Sequence, residues 1–332
     1  MTAPGPRRST GRRLALSYLV TLWFVVTVAF LLPRLLPGDP VQALLDPDSI
    51  DYLYEETLRA QIEEHYGLDR PLLEQYLAYL GRLARGDLGE SIFFRERVVD
   101  LVAERLPWTL LLAVPSLLLA AGLGSWAGVQ AGWRPGSWRD RWLTGGLLVV
   151  SNLPAFFIGL VLLLVFGVEL DLFPTNGAME RFAEDASLGA VVVDVARHLV
   201  LPMAALTLSL VGTYFLLMRN GTVALLGEAF LTVARAKGLG ERRIKYGHAL
   251  PNASLPVFTQ FSAEIGLAVT GTIFIETLFA YPGMGLLMFE AVGARDYPLL
   301  DGIFVIVALS VLVANAAADL AYRRLDPRVV RT

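Results

Sequence analysis

Apolar residues in this chain fall into six long runs separated by polar segments. The runs cover residues 14–33, 108–133, 143–168, 199–217, 257–280 and 302–322. A helix needs about twenty apolar residues to cross the hydrocarbon core of a bilayer, and each run comes close to this length or exceeds it. The pattern predicts an all-α, polytopic membrane protein with six transmembrane helices.

The first run resembles a secretory signal in its position, because residues 1–13 carry four arginines ahead of it. It is long for the apolar core of a signal peptide, and no small-x-small cleavage site follows Pro33. We therefore predict a retained first helix, with residues 1–13 as a cytosolic tail.

A polar segment, residues 34–106, separates the first two runs and is predicted to form a long extracytoplasmic loop. Within it Asp69 can act as an N-cap, with Pro71 in the first turn of a helix. An apolar stripe at helical spacing follows at Leu73, Tyr76, Leu77, Leu80 and Leu83. We expect this stripe to pack on the outer surface of the helix bundle; the alternative is a helix lying on the membrane.

The connections between the runs differ in charge, which predicts the orientation of the chain. Arg134, Arg139 and Arg141 lie between the second and third runs, and six basic residues lie in 219–251 against two acidic ones. Basic residues of short loops remain in the cytosol. Both termini, the second connection and residues 219–252 are therefore predicted to be cytosolic.

Residues 227–256 are polar and basic, although they lie between two apolar runs. Residues 228–237 are predicted to form a short helix that Gly238 and Gly240 terminate, because glycine adopts the left-handed conformation that closes helices. Leu226, Phe230 and Val233 should share one face of this helix. A second helix is predicted at 241–249, with a basic surface formed by Arg242, Arg243 and Lys245.

This segment resembles the EAA loop of the permease subunits of bacterial ABC importers, in the form seen in the peptide/nickel permease family. The matching positions are Glu228, Ala229, Ala234, Arg235, Ala236, Lys237, Gly238, Leu239, His248, Asn252 and Pro256. Phe230 replaces the second alanine of the name-giving triplet. LLPGDPV, GLDRP, QYL and GDLGES in the first loop, and ETLFAYPGMG at residues 276–285, also resemble the family, so the likeness covers most of the chain.

The resemblance implies the type I ABC importer permease architecture, as one transmembrane domain over residues 1–332 of a bacterial inner-membrane protein. It implies that a coupling helix fits a groove on an ATP-hydrolysing subunit. The residues implied in this coupling are Glu228, Ala229, Phe230, Ala234, Arg235, Ala236, Lys237, Gly238 and Leu239. The implied partners are a second, different permease, a pair of ATP-binding cassette subunits and an extracytoplasmic solute-binding protein. Di- or oligopeptides are the expected cargo, with nickel complexes and short oligosaccharides left open.

Polar residues in the fifth run are candidates for a substrate path. A carboxylate in hydrocarbon is costly unless it faces a partner, the bundle interior or water, so we expect Glu264 to face the interior, with Gln260 and Thr270 as weaker candidates. The alternative for Glu264 is a structural hydrogen bond between helices. Glu276 begins the family-like segment at the outer end of the run, and the resemblance suggests an external gate there.

Composition and missing motifs limit the mechanism. The chain is 55% apolar with a net charge of −3, which gives no argument for nucleic-acid binding. It has no cysteine and three scattered histidines, so no metal site or cofactor is predicted. No G-x-x-x-x-G-K-[ST] loop for binding ATP occurs. Neither G-x-S-x-G nor H-E-x-x-H occurs either, so no motif indicates an intramembrane enzyme. The alternative to an ATP-driven importer is an ion-coupled secondary transporter that uses Glu264, although no repeat between halves supports it.

Overall fold

The computed structural model describes residues 8–35, 59–61, 63–64, 66–180 and 187–325, and within these the only β-pairing is one isolated bridge between Glu90 and Arg97. The first six helices are α1 (Arg8–Leu35), α2 (Leu72–Leu83), α3 (Val98–Gly132), α4 (Trp138–Ser151), α5 (Ala155–Leu162) and α6 (Leu188–Leu225). They are followed by α7 (Ala229–Ala236), α8 (Glu241–Arg243), α9 (Leu250–Ala253), α10 (Leu255–Gly271), α11 (Ile273–Leu278), α12 (Met284–Gly293) and α13 (Tyr297–Leu325). Two π-helical segments extend α5 and α8, at Leu163–Glu169 and Ile244–Ala249. The predicted all-α class is confirmed.

Three described helices are long and apolar enough to cross a membrane: Val98–Gly132, Leu188–Leu225 and Tyr297–Ala314. A fourth span results if α4 and the helix Ala155–Glu169, bent by 94°, are counted together. The apolar part of the first predicted span, Val20–Leu35, is shorter, and Thr272 divides the fifth into α10 and α11. Six spans therefore remain a prediction, and residues 36–58 of the predicted external loop lie outside the described residues.

The chain divides into two compact units, the first of which comprises Met1–Arg105 with Leu287–Leu312. Its core contains Val26, Phe30, Tyr79 and Val305, so that α2 packs against α1 and α13. The buried Asp301 forms an ion pair with Arg34 at 3.0 Å. This pair joins α1 to α13, and each charge offsets the desolvation of the other.

A second buried carboxylate of this unit organises the loop before α3. Asp296 accepts hydrogen bonds from the Ser91 hydroxyl and from the Phe93 backbone N–H, the latter at 2.9 Å. Gly302 lies so close to the start of α3 that an added Cβ would overlap a Val98 methyl group. The family-like GDLGES segment is thus tied to the start of α13.

The helix α2 differs from its prediction at its start and on its outer face. Pro71 occupies the N-cap position and makes no side-chain cap, so Asp69 is not the N-cap. Tyr76, Leu80 and Leu83 of the predicted stripe pack inward beside Tyr79, but Leu73 and Leu77 are exposed. Three of the five predicted stripe residues thus lie on the inward face, which also includes Tyr79.

The second unit comprises Leu106–Leu286 with Val313–Thr332. A row of glycines on α3 lies directly against α6. An added Cβ would lie 2.6 Å from Val211 O at Gly124, 2.6 Å from Phe215 O at Gly128 and 2.7 Å from Arg219 O at Gly132. Small residues at this four-residue spacing allow transmembrane helices to approach until their backbones touch. We call this contact the glycine seam.

The two neighbouring glycines Gly122 and Gly124 differ in their surroundings. Gly124 packs against α6, whereas Gly122 has nothing within 4 Å of an added Cβ. The informative pattern was G-x-x-x-G-x-x-x-G at 124, 128 and 132.

We predict that Gly128→Ala destabilises the protein by about 1–3 kcal/mol, because the methyl group has to displace backbone atoms of α6. The thermal unfolding midpoint of the purified protein in detergent measures this effect. Gly122→Ala is the matched control on the same helix, and its midpoint should not fall. Equal midpoints for the two variants would contradict the close approach at Gly128.

Candidate functional site

Helix α7 ends in a hydrogen-bonded glycine turn. Gly238 has a φ of +74°; its N–H donates to Arg235 O at 2.9 Å, and Leu239 N–H donates to Ala234 O at 3.3 Å. These two bonds define a Schellman motif, which satisfies carbonyl groups at the end of the helix. Nothing lies within 4 Å of an added Cβ at Gly238, so glycine is favoured here by backbone conformation alone.

The side chains of α7 separate into a buried and an exposed group. Leu231 and Ala234 are buried with Ile244 and Ala249, and Leu239 packs against this cluster. Phe230 is 39% exposed and Val233 is 52% exposed. The predicted apolar face with Phe230 and Val233 is thus not the face that packs inward. Of the other predicted coupling residues, Glu228, Ala229, Arg235, Ala236, Lys237 and Gly238 are exposed.

The helix predicted at 241–249 is present, but it is not α-helical throughout. It is α-helical over Glu241–Arg243 and π-helical over Ile244–Ala249. Arg242 and Arg243 are exposed as predicted, but Lys245 is buried and does not belong to an exposed basic surface. The wider π-helical turn places Ile244 and Ala249 in the cluster beneath α7.

Polar side chains connect this loop to the end of α3. Lys245 Nζ donates to Gln130 Oε1 at 2.5 Å, and Gln130 Nε2 donates to the Tyr246 hydroxyl at 2.5 Å. Glu241 accepts a hydrogen bond from Trp133 Nε1 at 3.2 Å and one from Arg235 Nε at 3.1 Å. Burial and the neighbouring Arg134 lower the pKa of Lys245, although Tyr246 opposes the shift. Three hydrogen bonds therefore join the loop to the end of α3, and the bond between Arg235 and Glu241 lies within the loop.

Sequence reasoning did not identify the α3 side of this connection. Gln130 and Trp133 lie at the end of the second apolar run, where a polar residue and a tryptophan are common at a membrane interface. Gln130 lies on the helix that carries the glycine seam, between Gly128 and Gly132. Only the folded chain places it beside Lys245.

A small cavity lies deeper in the second unit, and Glu264 lines it. Its volume is about 90 Å³, and its polar lining also includes Ser116, Ser209 and Thr272. Gln260 Nε2 donates to Glu264 Oε1 at 2.8 Å, so two predicted path residues contact each other. The side chain of Thr270 lies outside the described part of the structure.

Glu276 has a different environment, since its side chain is fully buried. Its Oε1 accepts hydrogen bonds from the hydroxyls of Thr109 and Thr272, both at 2.7 Å. Its Oε2 accepts from the backbone N–H groups of Gly285 at 2.6 Å and Leu286 at 3.2 Å. The carboxylate thus binds the turn after α11 to α3. A role for Glu276 in a gate remains a prediction.

The family described as the binding-protein-dependent transport system inner membrane component matches residues 120–331. This range contains the loop at 227–256, the three glycines of the seam and Glu264. The chain belongs to this family.

Curated relatives support the assignment over nearly the whole chain. The di/tripeptide transport system permease protein DppB of Pseudomonas aeruginosa is 34% identical over 332 residues, covering 96% of this chain and 97% of the relative. The oligopeptide transport system permease protein AppB of Bacillus subtilis is 34% identical over 319 residues, covering 96% and 98%. The glutathione transport system permease protein GsiC of Escherichia coli K12 is 31% identical over 318 residues, covering 95% and 96%.

A solved structure of the MetNI methionine ABC transporter, in an inward-facing conformation, contains a chain with the same fold. The TM-score is 0.54 at 14% identity, and the likeness covers 68% of this chain and 96% of that chain. The predicted ABC permease architecture is therefore confirmed at the level of the fold. The protein is an inner-membrane permease subunit of a binding-protein-dependent transport system.

We predict that Gly238→Ala weakens the turn after α7 by forcing an L-residue into the left-handed region, at a cost of about 1–2 kcal/mol. Amide hydrogen exchange at Leu239 should become about 5- to 30-fold faster. Gly240→Ala is the control, because Gly240 has an ordinary φ of −64° and open space around it. Unchanged exchange in Gly238→Ala, or equal acceleration in both variants, would show that the turn does not depend on this conformation.

Proposed function

We propose that this permease forms half of the translocation pore of an ATP-driven peptide importer. The names of relatives that match nearly the entire chain support peptides as the cargo, since they transport di- and tripeptides, oligopeptides and glutathione by name. A second, different permease completes the pore, and ATP-binding cassette subunits hydrolyse the ATP. A solute-binding protein delivers the peptide at the extracytoplasmic face. Nickel complexes and oligosaccharides are the alternative cargoes.

The exposed apolar surface of α7 is the observation that carries the proposal. Phe230 and Val233 are largely exposed on a helix whose opposite side is already packed. An amphipathic helix that presents apolar residues outward is suited to a hydrophobic groove on a partner. Arg235 and Lys237 border this surface, and the ATPase subunit is the partner that the EAA-like sequence implies.

The contacts of the loop explain how a movement of α7 would reach the membrane. Helix α7 is packed on Ile244 and Ala249, and the same loop is bonded to Gln130 of α3 and to Trp133 directly after it. The glycine seam joins α3 to α6 without intervening side chains. A displacement of α7 by the ATPase therefore moves α3 and α6 as one body, and rigid-body movement of this kind is a common route to a two-state switch.

The Glu264 cavity is the proposed contact point for the peptide. The carboxylate is partly buried and has one described hydrogen bond, from Gln260. A free peptide carries an ammonium group at its N-terminus, which is the natural partner of such a carboxylate in a site of low polarity. The cavity of about 90 Å³ is too small for a peptide, so the second permease and the open state complete the path.

We predict that Val233→Glu weakens association with the ATPase about tenfold or more, because it places a charge in an apolar contact. Co-purification of the ATPase with the tagged permease, and the ATPase rate of the reconstituted complex, measure the loss. Val233→Ile keeps the surface apolar and is the matched control. Because Val233 is half-exposed, both variants should unfold at the wild-type temperature. Normal assembly and hydrolysis in Val233→Glu would refute this docking surface.

We predict that Glu264→Gln lowers ATP-dependent uptake of a dipeptide about tenfold, because a charged hydrogen bond to the peptide ammonium is lost. Uptake of the N-acetylated dipeptide, which lacks that ammonium, should differ little between wild type and variant. Glu264→Asp retains the charge and should keep part of the activity. Uptake is measured in proteoliposomes that contain the full complex, with and without ATP. If the wild type takes up the dipeptide without ATP, the ATP-driven importer mechanism is wrong.

A further inference from the structure

An open cleft lies beside the loop at 227–256, on the side where the loop meets the turn between α3 and α4. Its volume is about 750 Å³. It is lined by Gln130, Trp133, Arg134, Ser137, Trp138, Arg139, Glu241, Arg242, Lys245 and Tyr246. This volume lies in the range of small-molecule sites, and the functions proposed above do not use it.

The cleft has an excess of positive charge. Arg134, Arg139 and Arg242 form no ion pair with any residue that the structure describes. Lys245 is bonded to the neutral amide of Gln130. The single acid of the lining, Glu241, already accepts bonds from Arg235 and Trp133. Four cationic groups thus surround a space whose only carboxylate has other partners.

The surroundings place this cleft at a membrane interface. Trp138 in its wall is 72% exposed and Trp142, one turn further along α4, is 65% exposed, with ring centroids 5.8 Å apart. Exposed tryptophans at the ends of membrane helices lie at the level of the lipid headgroups. Beyond them α4 exposes apolar side chains such as Val149, which suits contact with acyl chains.

We propose that this cleft binds the phosphate-bearing headgroup of an anionic phospholipid. The cationic groups contact the phosphate, Trp138 packs against the glycerol region, and the acyl chains follow the exposed face of α4. Basic pockets between membrane helices on the cytosolic side bind such headgroups. The predicted orientation of the chain assigns this lipid to the cytosolic leaflet, but binding of the headgroup does not depend on that orientation.

A bound headgroup would have a structural consequence. Arg134 lies in the turn between α3 and α4, and Arg139 lies in the first turn of α4, whereas Arg242 and Lys245 belong to the loop beneath α7. A phosphate between them bridges these two segments and neutralises their mutual repulsion. The lipid would therefore strengthen the connection between α7 and α3 that the hydrogen bonds of Gln130 and Trp133 provide.

The test uses the purified full-length chain in phosphatidylcholine nanodiscs that contain a minor fraction of brominated phosphatidylglycerol or brominated phosphatidylcholine. Bromine on a bound acyl chain quenches the fluorescence of nearby tryptophans, here Trp138 and Trp142. We expect stronger quenching by brominated phosphatidylglycerol than by brominated phosphatidylcholine. Arg242→Gln should reduce this preference about fivefold, the effect of one basic group near an anionic lipid.

Arg243→Gln is the matched control, because Arg243 is exposed on the same short helix and does not line the cleft. It should leave the preference unchanged. Equal quenching by the two lipids, or equal losses in the two variants, would overturn the site. If soluble glycerol phosphate abolishes the preference, the cleft takes a free phosphate ester and the assignment to lipid is wrong. The readout needs no ATPase and no transport, so its failure is distinct from failure of the proposed function.

Discussion

The close approach of α3 and α6 is the constraint on which the rest of the second unit depends. Gly124, Gly128 and Gly132 leave no side-chain layer between the two helices, so their separation is determined by backbone atoms. This contact sets the position of Gln130 and Trp133 relative to the end of α6, from which the loop at 227–256 begins. With larger residues in the seam, the hydrogen bonds between α3 and this loop would have to lengthen or break. Membrane helices gain little from hydrophobic burial against one another, so packing of this kind carries much of their association.

Buried carboxylates provide a second level of organisation. Asp296 and Asp301 each hold together distant segments of the first unit. In the second unit Glu276 binds a backbone turn, and Asp140 pairs with Arg219 at 2.6 Å to join α4 to α6. Asp296, Glu276 and Asp140 each have several donors, and Asp301 has the charged guanidinium of Arg34, as an acid deprived of water requires. Glu264 differs from them, since it is only partly buried and lines a cavity. This contrast favours Glu264 over the other carboxylates as the proposed substrate contact.

The hydrophobic pattern predicted the helical class, and the EAA-like residues led to the family, because both signals are local in sequence. Local signals also located the turn at Gly238, whose left-handed backbone conformation few residue types other than glycine tolerate. They failed where distant residues decide the outcome. The inward face of α2 was predicted only in part, and the sequence did not show which side of α7 packs inward, because leucine, phenylalanine and valine are equally suited to a core and to a partner. For α7, the cluster around Ile244 determines which residues turn inward. Lys245 was assigned to a surface because its acceptor, Gln130, lies more than a hundred residues earlier.

The division of α7 into two sets of side chains has an evolutionary consequence. Leu231 and Ala234 hold the loop together, whereas Phe230 and Val233 take no part in its internal packing. The outward residues are thus free to change together with a partner's groove while the loop keeps its fold. After duplication of a transporter within one genome, each permease can in this way become specific for its own ATPase. Few substitutions are needed, and every permease along the way still folds.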